Sequence, residues 1–217
     1  ITGALFALGS ILFMAGSALA LLNVAQGWPG EPVVNITFFA GSIPFTTAAA
    51  LQHFQAANAG DFAVGAGPET PPRIKLVGWQ PNNAGWLSTF SQLLGTIAFN
   101  VNTFDAIDPP AAAAIQDVVI WLPGLVGSVL FLVSGTLAYV EAGHAYFSWR
   151  PRDLGWWIAF VNLIGCIAFM TAGILSFVPT GPEPRWIAAA AFAHLWLGAF
   201  CFFVGAALMM RESRLAG

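Results

Sequence analysis

The chain has 217 residues and a net charge of −3, with 58% hydrophobic residues, 8% charged residues and a mean hydropathy of +0.75. A soluble domain of this size carries about a quarter charged residues, so a water-solvated globule is excluded and lipid is the indicated solvent. No basic run or basic-aromatic interleaving offers a nucleic-acid face.

Six apolar stretches follow one another, each with the roughly 20 residues that span a hydrocarbon layer of about 30 Å. The first covers 1–22 and contains GSILF, Gly9 to Phe13. No basic segment precedes it, so it reads as a mature span rather than a secretory signal. The Gly/Pro-rich NVAQGWPGEPVVN leads to the second, 36–56, with GSIPF (Gly41 to Phe45), His53 and Gln55. An NIT sequon at Asn35 abuts this span and carries little weight. The long connection over 57–84, which includes GAGPETPPRIK, reads as an irregular docking loop.

The third span, 85–105, holds GTIAF (Gly95 to Phe99) and is the most polar, with Gln92, Asn100, Asn102 and Thr103. The fourth, 118–140, holds GSVLF (Gly127 to Phe131) and leads into Glu141 and His144. The fifth, 155–178, holds GCIAF (Gly165 to Phe169) and Asn162, at the repeat position of Gln92. The sixth, 187–210, holds GAFCF (Gly198 to Phe202), with His194 near its start and Glu212 beyond its end. Cys166 and Cys201 lie inside apolar segments without His or Asp at ligand spacing, so they read as packing residues and not as a metal site.

Gly, a small residue and Phe four positions after the Gly thus recur in one register in all six spans. Small or short polar residues return seven and eight positions after each Gly. At about 100° per residue these positions form one stripe. Helices in lipid associate by close packing rather than by leaving water, and small residues let their backbones approach. The stripe therefore predicts helix packing. Gln55, Glu141 and Glu212 each follow their motif Gly by 14 residues, and the odd spans lack that feature. The alternation predicts an all-α bundle of six transmembrane helices built from three related hairpins, one domain over 1–217.

A longer likeness joins GWQPNNAGWLSTFSQLLGTIAF (78–99) to SWRPRDLGWWIAFVNLIGCIAF (148–169), each a Pro-containing break before a span. The first span lacks such a lead-in, which predicts further residues before Ile1. Of the seven basic residues, Arg73, Lys75, Arg150, Arg152, Arg211 and Arg214 fall on one side and Arg185 on the other. The positive-inside rule then puts both termini in the cytoplasm, with Glu31, Asp105, Asp108, Asp117 and Glu183 outside. Trp79, Trp86, Trp149, Trp156 and Trp157 would band the inner interface, and Trp28, Trp121 and Trp186 the outer one.

No Asp, Glu, Lys or Arg falls in the middle of a span, which counts against proton-coupled transport, voltage sensing and intramembrane acid–base catalysis. No catalytic motif appears, so a non-enzymatic role is expected. His53, His144 and His194 are the weak candidates for holding a haem or pigment, although His53 and His144 differ in depth. Gln92, Asn100, Asn102, Thr103 and Asn162 form a candidate polar patch, read first as interhelical hydrogen bonding and second as a binding surface. No cofactor is required, and bound lipid is the expected companion.

The G-small-x-x-F spans and W-x-P-x3-GW lead-ins resemble bacterial integral membrane proteins, often actinobacterial, that carry YrhK-like helical hairpins. The resemblance extends over nearly the whole chain. It implies a bacterial cytoplasmic membrane and supplies no catalytic residue. The first functional expectation is a scaffold or accessory subunit of a larger membrane assembly, partnered by other membrane proteins or by its own copies. The alternative is a carrier or channel for a neutral solute or lipid, and a haem or pigment holder comes third.

Overall fold

The computed structural model describes residues 1–59, 74–177 and 184–215. Arg73, Glu183 and most of the expected docking loop lie outside them. The described residues form six long helices and no strand: α1 (Thr2–Gln26), α2 (Glu31–Asn58), α3 (Ala84–Asp105), α4 (Ala113–Gly143), α5 (Leu154–Leu175) and α6 (Arg185–Leu215). Several run past the apolar stretches. α2 starts at Glu31 because Pro32 stands in the first turn, where its missing N–H has no helical partner to lose. The first connection is therefore only residues 27–30, begun by Gly27 in the left-handed region (φ 70°). α4 also starts early, through a π-helical turn at Asp117–Trp121.

Each helix packs on its neighbours in sequence, and α6 returns to α1, so the six close into a ring. Gly3 approaches Met210, Gly85 approaches Glu141 and Gly155 approaches Glu212, so these residues share one end of the bundle. Lys75, Arg150, Arg152, Arg211 and Arg214 belong to the same end, called the basic end below.

The outside of the ring is apolar on every helix: Leu8, Ile43, Ile97, Val129, Ile167 and Leu197 are all exposed there. Five helices are long and apolar enough to cross a membrane. α3 has comparable length, but Ser88, Gln92, Asn100 and Asn102 lower its hydropathy. Its exposed residues, Leu94, Ile97 and Val101, match the outer face of the others. α3 is thus apolar toward the surroundings and polar toward its neighbours.

The six motifs pack pairwise. A Cβ on Gly9 would meet Phe45, and one on Gly41 would meet Leu12 and Phe13. Gly95 faces Phe131 while Gly127 faces Phe99, and Gly165 faces Phe202 while Gly198 faces Phe169. In each hairpin a Gly notch on one helix receives the Phe of the other, in both directions.

The two lead-ins fold alike. Asn83 and Asp153 cap α3 and α5 by accepting from the N–H of Trp86 (3.0 Å) and of Trp156 (3.2 Å). Their own N–H groups close turns to the carbonyls of Gln80 and Arg150, with Pro81 and Pro151 inside the turns. Trp86 Nε1 donates to the Val77 carbonyl (2.7 Å), and Trp156 Nε1 donates to Ser148 Oγ (3.0 Å). The expected interfacial band is corrected at Trp86 and Trp156, which are buried. Trp86 and Trp156 are only 1% and 0% exposed, whereas Trp79 and Trp149 are 72% and 70% exposed. The outer Trp of each pair covers the inner one edge-on at 5.3 Å.

Candidate functional site

The motif Phe residues do more than fill notches within hairpins. Rings from all six helices meet in one layer across the middle of the bundle. Phe99 and Phe131 lie 5.0 Å apart, Phe169 and Phe202 5.2 Å, and Phe13 and Phe45 6.2 Å. The hairpins join through Phe45–Phe202 (5.7 Å), Phe99–Phe169 (5.6 Å) and Phe131–Phe202 (5.8 Å). Ser10, Ser42 and Thr96 stand beside this layer, and the space left among these side chains is about 10 Å³. That volume holds at most about one water. The layer is a plug.

A cavity approaches the plug from each end. At the basic end a cavity of about 280 Å³ runs from Glu141 and Gly155 at its rim to Phe131 and Phe202. Ser88, Gln92, Asn162 and Gln52 line it, and a smaller lobe joins Gln52, Gln92 and Asn162 to Phe6 and Met209. The Ser88 hydroxyl is satisfied by the Ser134 carbonyl at 3.0 Å. Gln52 Oε1 is buried without a hydrogen-bond partner. At the opposite end a cavity of about 120 Å³ runs from Gln116, Trp121 and Ser176 to Phe99 and Phe169.

The expected polar patch therefore divides. Gln92 and Asn162 share the larger cavity, as their common repeat position suggests. Asn102 lines the smaller one, on the far side of the plug, and its Nδ2 donates to the Ile120 carbonyl (2.8 Å) in the π-helical turn. Ten residues of helix, about 15 Å along the axis, separate it from Gln92. Thr103 is buried in the packing, donating to the Phe99 carbonyl at 2.8 Å and approaching Ser42 Oγ at 3.4 Å. Asn100 Oδ1 is buried without a partner, and Asn100 lines neither cavity.

Gln52 was not anticipated. It follows its motif Gly by 11 residues and so continues the stripe of positions 0, +4, +7 and +8 by another turn. That periodicity was the signal that could have found it.

The histidines do not converge. His53 packs against the stacked rings of Trp86 and Phe90, at 5.4 Å from each, and its Nδ1 lies 3.1 Å from Thr89 Oγ1. The Thr89 hydroxyl also reaches the Trp86 carbonyl, at 3.1 Å. Tyr139 holds the matching place in the next hairpin, 12 residues after its Gly and 6.1 Å from Trp156. His53 is thus a support for a buried Trp. His144 is exposed and ends α4 in the left-handed region (φ 50°). His194, on α6, donates from Nδ1 to the Ala190 carbonyl at 2.8 Å. Among the described residues no three His, Cys, Asp or Glu side chains gather at a spacing that could hold a metal ion. Cys166 and Cys201 are free and buried.

Comparisons with known proteins return no matching family model, no matching curated protein and no matching solved structure. The chain is an all-helical bundle whose apolar helices suit a lipid bilayer.

Proposed function

We propose that the chain is a membrane-embedded carrier or channel for a small uncharged solute, held closed by its phenylalanine layer. The observation behind this reading is the pair of cavities that approach from opposite ends and stop at different rings of one layer, Phe131 and Phe202 for the larger and Phe99 and Phe169 for the smaller. A bundle that only holds helices together gains by filling its interior, because voids forfeit dispersion contacts. Here polar side chains surround unfilled volume instead. The scaffold role, which the sequence favours, rests on the lack of charge inside the spans, the packing motif on every helix and the lack of sizeable domains outside the bilayer. An uncharged bundle held by that motif serves an uncharged solute equally well. The resemblance of the repeated motifs to bacterial membrane proteins, together with the positive-inside rule, supports a bacterial cytoplasmic membrane with the basic end inside.

The test is reconstitution of the full chain into liposomes, followed by light scattering after osmotic challenge with uncharged solutes of graded size. The wild type should admit small solutes faster than protein-free liposomes do. Phe131→Ala removes the ring that touches Phe45, Phe99, Phe169 and Phe202. It should raise the rate by about tenfold, the effect of lowering a barrier by ~1.4 kcal/mol. Folded protein that admits no solute in either form would reject the proposal.

A further inference from the structure

The deep layer of the larger cavity has a composition that selects its occupant. Gln52, Gln92 and Asn162 reach it from α2, α3 and α5, while Phe6, Ala138 and Met209 line it from α1, α4 and α6. These six residues hold equivalent places: three before the motif Gly on odd helices and 11 after it on even ones. Half of the ring is carboxamide and half is apolar. The three carboxamides are not spent on one another or on the backbone. Gln52 Oε1 is buried and unpaired, and neither Gln92 nor Asn162 has a side-chain hydrogen bond among the described residues. A buried amide oxygen without a donor carries a cost that a bound N–H or O–H would relieve.

Charge narrows the class. The lining includes one carboxylate, Glu141, at the rim, and no Lys, Arg or His. An anion would meet that carboxylate first and find no cation beyond it. A cation passing the rim would enter the amide layer without a counter-charge, at a desolvation cost an uncharged solute escapes. The apolar half of the ring suits the carbon side of a small molecule whose polar atoms face the carboxamides.

We infer that Gln52, Gln92 and Asn162 form the recognition layer for a small uncharged solute rich in N–H or O–H donors, of the amide, urea or polyol class. This assignment rests on the carrier or channel reading. In the liposome assay, acetamide, urea and glycerol are the probes for the class, and potassium and chloride, which have no neutral form, test charge exclusion. Gln52→Met, Gln92→Met and Asn162→Leu remove the amide while keeping side-chain bulk. Each should slow the uncharged probes by about tenfold, the scale of a lost hydrogen bond to a buried polar group. Gln92→Glu, nearly isosteric, serves if those variants fail to fold; it should slow the uncharged probes and admit potassium. Undiminished flux in these variants, or wild-type passage of potassium and chloride as fast as of urea, overturns the assignment and leaves the conduit standing. No flux in the wild type or in Phe131→Ala overturns the conduit and this assignment together.

Discussion

The ring of Phe169 occupies the space that a Cβ on Gly198 would need, and the Gly165 carbonyl stands 3.0 Å from the same point. One contact is a ring held by the central layer and the other is backbone, so neither yields cheaply. Gly198→Ala is expected to destabilise the bundle by about 1–3 kcal/mol, the usual cost of overpacking, despite a helix-propensity gain of about 0.5–1 kcal/mol. Gly85→Ala is the contrast, because the atoms nearest the added methyl belong to the end of the Glu141 side chain, which can turn away. Thermal unfolding of both variants in one detergent should show a lowered midpoint for the first and little change for the second.

The two buried tryptophans give a paired prediction. Trp86→Phe and Trp156→Phe retain aromatic packing on Phe90 and Phe160, stacked at 4.8 Å in both cases, but lose the indole hydrogen bonds to Val77 and Ser148. Each should cost about 1–3 kcal/mol, the penalty for an orphaned buried polar group. Trp79→Phe and Trp149→Phe, on exposed rings, should cost much less. Unfolding midpoints, with tryptophan emission as the probe, compare the four.

These tryptophans also mark where the sequence stopped being legible. The Gly and Phe stripe was readable because helix packing repeats every 3.6 residues, but it marked a face without saying that Gly9 would meet Phe45 or Gly165 meet Phe202. Trp86 and Trp156 lie nine residues before their motif Gly, on the opposite side of the helix from the stripe. What buries them is a lead-in that turns back over the helix end, and no helical period records such a loop. The convergence of six Phe rings into one plug was likewise hidden, because a stripe gives a contact face without saying that the ring of helices closes. The polar patch split for a related reason: composition gathers Gln92 and Asn102 into one span, while the plug lies between them in depth.

The helix caps offer a simpler measurement. Asn83 and Asp153 do the same work in the two lead-ins, accepting from the third backbone N–H beyond them. Asn83→Ala and Asp153→Ala should each cost about 1 kcal/mol, while Asn83→Asp and Asp153→Asn should be nearly neutral, since both residues cap well. Unfolding midpoints that treat the Ala and exchange variants alike would contradict the capping role.

Asn102 separates structure from passage. Its Nδ2 donates to the Ile120 carbonyl, in a π-helical turn where the regular hydrogen-bond ladder is interrupted. The carboxamide also lies 2.9 Å from where a Cβ on Gly124 would be, so α4 comes close at that level because Gly124 leaves room. Asn102→Leu removes the donor and forces a branched side chain against Gly124. It should lower stability by about 1–3 kcal/mol through the unpaired carbonyl. Solute selectivity should follow the amide layer on the other side of the plug, so the ratio of urea to chloride flux in Asn102→Leu should match the wild type while its unfolding midpoint falls. A changed ratio at an unchanged midpoint would move Asn102 from the scaffold of the bundle into its pathway.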